Sequence, residues 1–480
     1  MATYDVAVKN GKLVIPGGGV VRADVGIKDE KIAVISEEIP DEAAQRVLDA
    51  SGKYVFPGAV DTHAHIGIYR PLEEDAASES GACAAGGVTT IASYFRTGKN
   101  YLNKTGAFKE IFPELMSRSE SSYRVDFAYH IACMSSEQIS EVEWLAKEEG
   151  VSTFKYYMFY KSLDLSGSEP ASGYLMLSRD TLDFGFLYRY MKEIARVSRS
   201  MEGSPLSLSI HCENPEVIVA TVEESKQNPT GNTMKDYSNG RPPWQEALAI
   251  NEVAFLADCT SCPVNLLHLS SRDAVEAAVT AKVTYPNIPF LLEATLHHLA
   301  MSNDNDYGIL GKVNPPIRDQ SHVDYLWQSV LGGAIQTVVS DHACHPKALR
   351  TGDLWTVMPG FGGTSLMFPV LISEGYHRRG LPLSRVAELS SYNPAVKHRL
   401  FPKKGTIAVG ADADLVIIDI DAEKEVTTEA LHSAQDYTPF EGMKLKGWPE
   451  TTMVRGRVVF EDGKVVGEPG WGRYQSRPVA

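Results

Sequence analysis

Two spacings of apolar residues divide this chain. Residues 3–55 run in short segments where apolar and polar positions alternate, such as Asp5-Val-Ala-Val-Lys9, Ala23-Asp-Val-Gly-Ile-Lys28 and Lys31-Ile-Ala-Val-Ile35, separated by Gly and Asp-Glu turns. Side chains two apart on a strand share a face, so this spacing predicts antiparallel strands and no helix. The same spacing returns at Asp414–Asp419, Thr452–Phe460 and Lys464–Gly467. Two such pieces at opposite ends of the chain predict a small β-sandwich domain built from residues 1–54 and 401–466.

Between them the pattern changes to β-prone runs separated by long helical stretches. The runs are Val55–His65, Thr89–Ser93, Val125–His130, Ser152–Met158, Leu206–His211, Val264–Leu269, Phe290–Ala294 and Thr337–His342. Strands alternating with helices in this number predict a (β/α)8 barrel over residues 55–400. A doubly wound open sheet is the competing architecture, but no Gly-rich dinucleotide fingerprint follows an early strand. Residues 467–480 are rich in Gly, Pro and aromatics. They read as a tail, with a subunit contact and a free end as the two alternatives.

Composition narrows the class. The 480 residues are 43% hydrophobic and 22% charged, as in a soluble globular protein. Lys+Arg 46 against Asp+Glu 61 leaves −15, which argues against nucleic acid and anionic membrane as partners. No apolar run reaches the roughly 18 residues of a membrane span. The first residues lack a basic segment followed by an apolar one, so no secretory leader is expected. The six cysteines form no dense framework and read as reduced thiols of a cytoplasmic protein. Cys259-x-x-Cys262 has no second pair to complete a zinc ribbon and reads as packing.

The chemistry-bearing residues stand where apolar runs stop. Asp61-x-His63-x-His65 ends the first barrel run. Two histidines two apart project to one side, and neutral imidazoles so placed clamp a metal ion. A chance pair in a core strand is the alternative. His211, His268 and Asp341 end three later runs, and Lys155 lies inside Ser-Thr-Phe-Lys-Tyr-Tyr-Met. In a barrel such strand ends converge on one face. A buried lysine sheds its proton readily, and the neutral amine can add carbon dioxide. The resulting carbamate is an acidic group able to bridge two metals; a lysine reaching for solvent is the alternative. Four imidazoles, a carbamate and an aspartate suit two divalent ions such as zinc. Two ions about 3.5–4 Å apart can share a hydroxide and polarise a carbonyl. Asp341, with a free oxygen, can take the hydroxide's proton and return it to a leaving nitrogen.

These residues resemble the binuclear amidohydrolase superfamily, and within it the cyclic amidases: dihydropyrimidinase, hydantoinase and allantoinase. Phe154-Lys155-Tyr-Tyr-Met-Phe-Tyr160-Lys161 is similar to that family's carbamylated-lysine strand. Asn393-Pro-Ala and the stretch from Lys404 to Ile417 resemble its junction back into the sheet domain. The resemblance implies that His63 and His65 hold the more buried metal with Lys155 and Asp341. It implies that His211 and His268 hold the more exposed one with the shared, N6-carboxylated Lys155. Tyr160 would stabilise the oxyanion, and Asn314 would bind the ring through backbone groups. It further implies a small cyclic amide as substrate and a homotetramer.

Subfamily is open at this stage. Gly67 stands where dihydroorotases carry an arginine. Glu293-Ala-Thr-Leu-His297-His298 leans towards allantoinase and dihydroorotase, whereas Tyr160 leans towards dihydropyrimidinase and hydantoinase. An allantoinase-type ureide hydrolase and a non-catalytic dihydropyrimidinase-like scaffold are the alternatives. Arg70 and Arg96 follow the first two barrel runs and are expected to reach a carboxylate or ureido substituent. Both also read as ordinary loop arginines. His342, Cys344 and His345 are expected to support the site without holding metal.

Overall fold

A computed structural model of the chain describes residues 2–159, 182–201 and 205–477. Eight parallel strands form one sheet in sequence order. They are β1 (Ala59–Ala64), β2 (Val88–Arg96), β3 (Asp126–Ala132), β4 (Thr153–Tyr157), β5 (Ser207–His211), β6 (Val264–Leu266), β7 (Phe290–Thr295) and β8 (Thr337–Val339). The sheet closes on itself just past β8, where His65 N donates to His342 O at 2.7 Å and Ala64 bridges His342. Every residue of β1 and of β2 is buried, because a barrel strand has side chains on one side and helices on the other. The fold is therefore the (β/α)8 barrel that the apolar runs predict. Among the connecting helices, α1 (Leu72–Ala85) follows β1, while α2 (Thr233–Asn239) and α3 (Pro243–Thr260) lie between β5 and β6.

The two chain ends meet in a pair of smaller sheets. One joins Lys12–Ile15 and Tyr54–Pro57 to Leu415–Ile418, Pro449–Val454 and Arg457–Glu461; the other holds Tyr4–Lys9, Asp24–Lys28, Lys31–Ser36 and Ala44–Asp49. Val6, Val8, Val25 and Ile27 of one sheet share a buried core with Leu13, Val55, Leu415 and Met453 of the other. Not every pair is antiparallel as the alternation suggests. Tyr4–Lys9 runs parallel to Ala44–Asp49, and Lys12–Ile15 parallel to Tyr54–Pro57. In both pairs other strands intervene in sequence, and parallel neighbours need such a crossover.

The run 55–65 is two strands rather than one. Tyr54–Pro57 pairs into the terminal sheet, and β1 starts only at Ala59. Gly58 marks the turn: a Cβ there would lie 2.1 Å from Thr89 Oγ1, so only glycine lets the chain pass from sheet to barrel. The tail packs on its own chain. Through residue 477 it lies across the N-terminal end of the chain's own barrel, with Phe127 N donating to Arg473 O at 3.1 Å and Gln475 N to Phe127 O at 2.7 Å. Nearby, Lys404 Nζ sits among Asp126, Asp412 and Asp414, the last two at 2.8 and 2.7 Å. This buried cluster ties β3 to the terminal sheet.

Candidate active site

The C-terminal ends of the barrel strands carry the six singled-out residues to one cavity. His63, His65, Lys155, His211, His268 and Asp341 all line it, facing Ile68, Tyr69, Tyr157, Phe159, Val313, Asn314 and Pro359. His63 Nε2 and His65 Nε2 lie 3.1 and 3.2 Å from the same Asp341 oxygen, Oδ1. The His63 and His268 rings are 5.5 Å apart, and those of His211 and His268 are 4.4 Å apart. His268 and Asp341 have φ of 38° and 51°, left-handed conformations that cost a non-glycine residue about 1–3 kcal/mol each. Strain of this kind is retained where the surroundings hold a side chain in place.

Two of the imidazoles, His63 and His211, are set by an acid behind them. Glu293 Oε1, in β7, accepts from His63 Nδ1 at 2.7 Å and from His268 N at 3.2 Å. A carboxylate only accepts, so a proton is on His63 Nδ1. This turns Nε2 toward Asp341 Oδ1, 3.1 Å away. Glu213 Oε2 likewise takes the Nε2 proton of His211 at 2.7 Å, which leaves Nδ1 as the lone-pair atom. Asp61 accepts from Ser340 N at 3.1 Å and from Thr364 Oγ1 at 3.0 Å, fixing the backbone beside Asp341. Glu79, on α1, binds His342 Nε2 at 2.9 Å. His342 Nδ1 accepts from Gly363 N at 3.1 Å, and a Cβ on Gly362 would come within 2.8 Å of the ring. The glycine loop after Pro359 thus lets backbone meet imidazole. Of these supports, Glu79, Glu213 and Glu293 went unassigned in the sequence reading. For Glu213 and Glu293 an acid inside or just after an apolar run was the available signal; Glu79, in a helix with three other acids, carried none.

Burial pulls His65 down to about 4 and also lowers His211 and His268, so these imidazoles are neutral near pH 7. Burial pulls His63 down as well, but Asp341 and Glu293 reverse it to about 9. Burial pushes Asp341 up, yet the two imidazoles hold it well below the usual carboxylate range. Lys155 is buried 4.4 Å from the Tyr94 ring centre and 4.7 Å from that of Tyr157. Burial lowers it to about 7 against the pull of Asp341 and Glu293.

The donor set fits a divalent cation. Ligand atoms of His63, His65 and Asp341 all lie within 4.8 Å of one another, and His268 Nδ1 is buried with no hydrogen-bond partner among the described residues. Two other acid clusters are answered by the chain's own cations. Asp75 and Glu79 meet Arg70, while Asp126, Asp412 and Asp414 meet Lys404.

The two arginines do not join the site. Neither is among the described residues lining the cavity. Arg70 Nη1 pairs with Asp75 at 3.3 Å and donates to Ser78 Oγ at 2.8 Å. Arg96 is buried, donates to Lys99 O at 2.8 Å and stacks 5.3 Å from the Tyr101 ring centre. Each serves its own loop. Tyr160 lies outside the described residues.

The chain is similar to known proteins over nearly its whole length. Residues 180–459 match the amidohydrolase family. An allantoinase of Solibacter usitatus is 33% identical over 468 residues, covering 96% of this chain and 95% of that protein. A D-hydantoinase of Geobacillus stearothermophilus is 31% identical, covering 98% and 96%. The solved structure of the L-hydantoinase (dihydropyrimidinase) from Arthrobacter aurescens superposes with a TM-score of 0.86 at 31% identity, over 99% of this chain and all of that one (100%).

Proposed function

Because the chain belongs to the amidohydrolase family, we propose that it opens a hydantoin, dihydropyrimidine or related ureide or imide ring by hydrolysis of the ring amide. The coarse assignment, a metal-dependent hydrolase of carbon–nitrogen bonds in cyclic amides, follows from the relatives. The observation that carries the finer reading is the convergence of His63 and His65 on one oxygen of Asp341 with Lys155 buried beside them.

In this reading His63, His65, Lys155 and Asp341 would hold one of two divalent ions, most suitably zinc. His211 and His268, with Lys155, would hold the other. When bound, such a pair lowers the pKa of water and polarises an amide carbonyl. Lys155 reaches its bridging form when its neutral amine adds carbon dioxide and releases a proton. The apolar burial that lowers its pKa is what makes the amine available near neutral pH. Asp341 accepts the proton of the attacking water and delivers it to the ring nitrogen as the carbon–nitrogen bond breaks. Tyr160 donates its phenol to the oxyanion, and backbone groups at Asn314 hold the ring. Tyr157 and Phe159 keep bulk water from the reacting carbonyl. A homotetramer is part of the same proposal and is checked by sedimentation.

The test is turnover of hydantoin, dihydrouracil, allantoin and cyclic imides by zinc-loaded protein, with metal analysis of the same preparation. Ring opening with about two metals per chain is expected. No turnover with a full complement of metal overturns the assignment. An allantoinase-type ureide hydrolase is the second reading, favoured by the allantoinase at 33% identity; preference for allantoin over hydantoin selects it.

A further inference from the structure

The segment 311–318 crosses the mouth of the cavity and presents Val313 and Asn314 to it. It is pinned from behind at several points. His298 Nε2 donates to Pro315 O at 3.1 Å. Arg318 donates through Nε to Ser270 Oγ at 3.0 Å and through Nη1 to Ser238 Oγ at 3.0 Å. The Asn314 side chain has a separate tie, since Tyr237 on α2 donates its phenol to Asn314 Oδ1. Tyr237 is buried, and burial pushes it up to about 12, so the phenol keeps its proton at neutral pH.

Tyr237 is held in turn. The Arg241 guanidinium carbon is 5.6 Å from its ring centre and Lys312 Nζ is 5.0 Å away, both within cation–π range. Arg241 Nη1 donates to Glu213 Oε2 at 2.6 Å, the oxygen that takes the His211 proton. Gln245 Nε2 donates to the other Glu213 oxygen at 3.1 Å. One continuous set of contacts therefore runs from Asn314 through Tyr237, Arg241 and Glu213 to His211.

We propose that Tyr237 is a positioning residue whose phenol fixes Asn314 at the cavity mouth while its ring packs on the Arg241 guanidinium that braces Glu213 and His211. The arrangement sets substrate placement and imidazole orientation together, from a helix that itself touches no reacting atom. It rests on the reading of Asn314 and His211 given above.

Tyr237→Phe keeps the ring and removes the hydroxyl that ties Asn314 and also meets Arg241. It is expected to raise KM about three- to tenfold, the worth of one hydrogen bond that leaves Asn314 Oδ1 unanswered, with kcat moved less than about twofold and metal content unchanged. In an Asn314→Ala background the same change is expected to add nothing, because its partner is gone. Arg241→Met, which also frees Glu213, is expected to weaken metal retention about ten- to hundredfold. Additive losses in the double variant, or a fall in kcat at constant KM, overturn the brace. Hydrogen exchange supplies a readout independent of turnover: the amides of Lys312, Val313, Asn314, Ile317 and Arg318 exchange faster in Tyr237→Phe if the tie exists, and unchanged exchange refutes it. Wild-type protein that opens no ring, yet shows the exchange difference, refutes the substrate reading and leaves the brace standing.

Discussion

Lys155, in the barrel, and Lys404, where the barrel meets the terminal sheet, are both buried, and they end in opposite electrostatic states. Lys404 is surrounded by Asp126, Asp412 and Asp414, which more than offset burial and raise its pKa. Lys155 lies against the faces of Tyr94 and Tyr157, with Asp341 and Glu293 too weak a counterweight, and its pKa falls to about 7. Equal burial thus gives a permanent cation at the N-terminal end of the barrel and a reactive amine at the C-terminal end. The neighbours, not the depth, decide which lysine holds the fold together and which is open to chemistry.

The comparison breaks most visibly at the reactive lysine. Lys155→Met is expected to cut turnover by about a thousandfold or more, the several kcal/mol that metal-assisted hydrolysis supplies, and to lower bound metal. Its unfolding free energy is expected to hold or rise, because a buried unpaired charge is replaced by an apolar chain of similar length. Lys404→Met should do the reverse. Three buried aspartates lose the partner they share, with Arg455 left at Asp126 and Lys31 at Asp412, so chemical denaturation is expected to show a loss of about 3–5 kcal/mol, with turnover per folded molecule largely kept. A stable Lys404→Met protein would remove the contrast.

Glu293→Gln sharpens it on a smaller scale. The amide can no longer fix the His63 tautomer as a charged acceptor, so metal affinity is expected to fall about 10- to 100-fold by competition with a chelator. The contrast also shows in pH dependence, read on chelator-treated protein. Lys155 has a folded pKa near 7 and an unfolded one near 10.4. Its penalty is full below pH 7 and fades as pH rises, so it adds a stability gain of at most about 1.4 kcal/mol per unit between those values. Lys404, raised by its partners, contributes stability that is fully present below the unfolded value and is lost only above it. Subtracting the Lys155→Met titration from wild type isolates the first slope; equal slopes in the two proteins would show that Lys155 is charged when buried.

The sequence made the barrel legible because its buried strands are continuous apolar runs, and a polar residue ending such a run is conspicuous. That logic found His211, His268 and Asp341. It merged Tyr54–Pro57 with β1, since Gly58 is the only break in the run and a single glycine does not announce a change of sheet. It extended Arg70 and Arg96 to the cavity because position along a strand says where a residue starts, not where a long flexible side chain ends. Asp75 and the Lys99 carbonyl capture those guanidinium groups locally. The Lys404 cluster lay inside a stretch already singled out as a family likeness, but three acids from two distant segments meet only in the folded molecule.

The strand Tyr54–Pro57 sits between Lys12–Ile15 and Leu415–Ile418, and residues 472–477 close over β3. A nascent chain leaves the ribosome amino end first, so the early strands wait for partners made hundreds of residues later. Neither the sandwich nor the barrel floor can be completed during most of synthesis. The metal-binding end, assembled from strands in simple succession, can therefore take shape before the termini lock it in place.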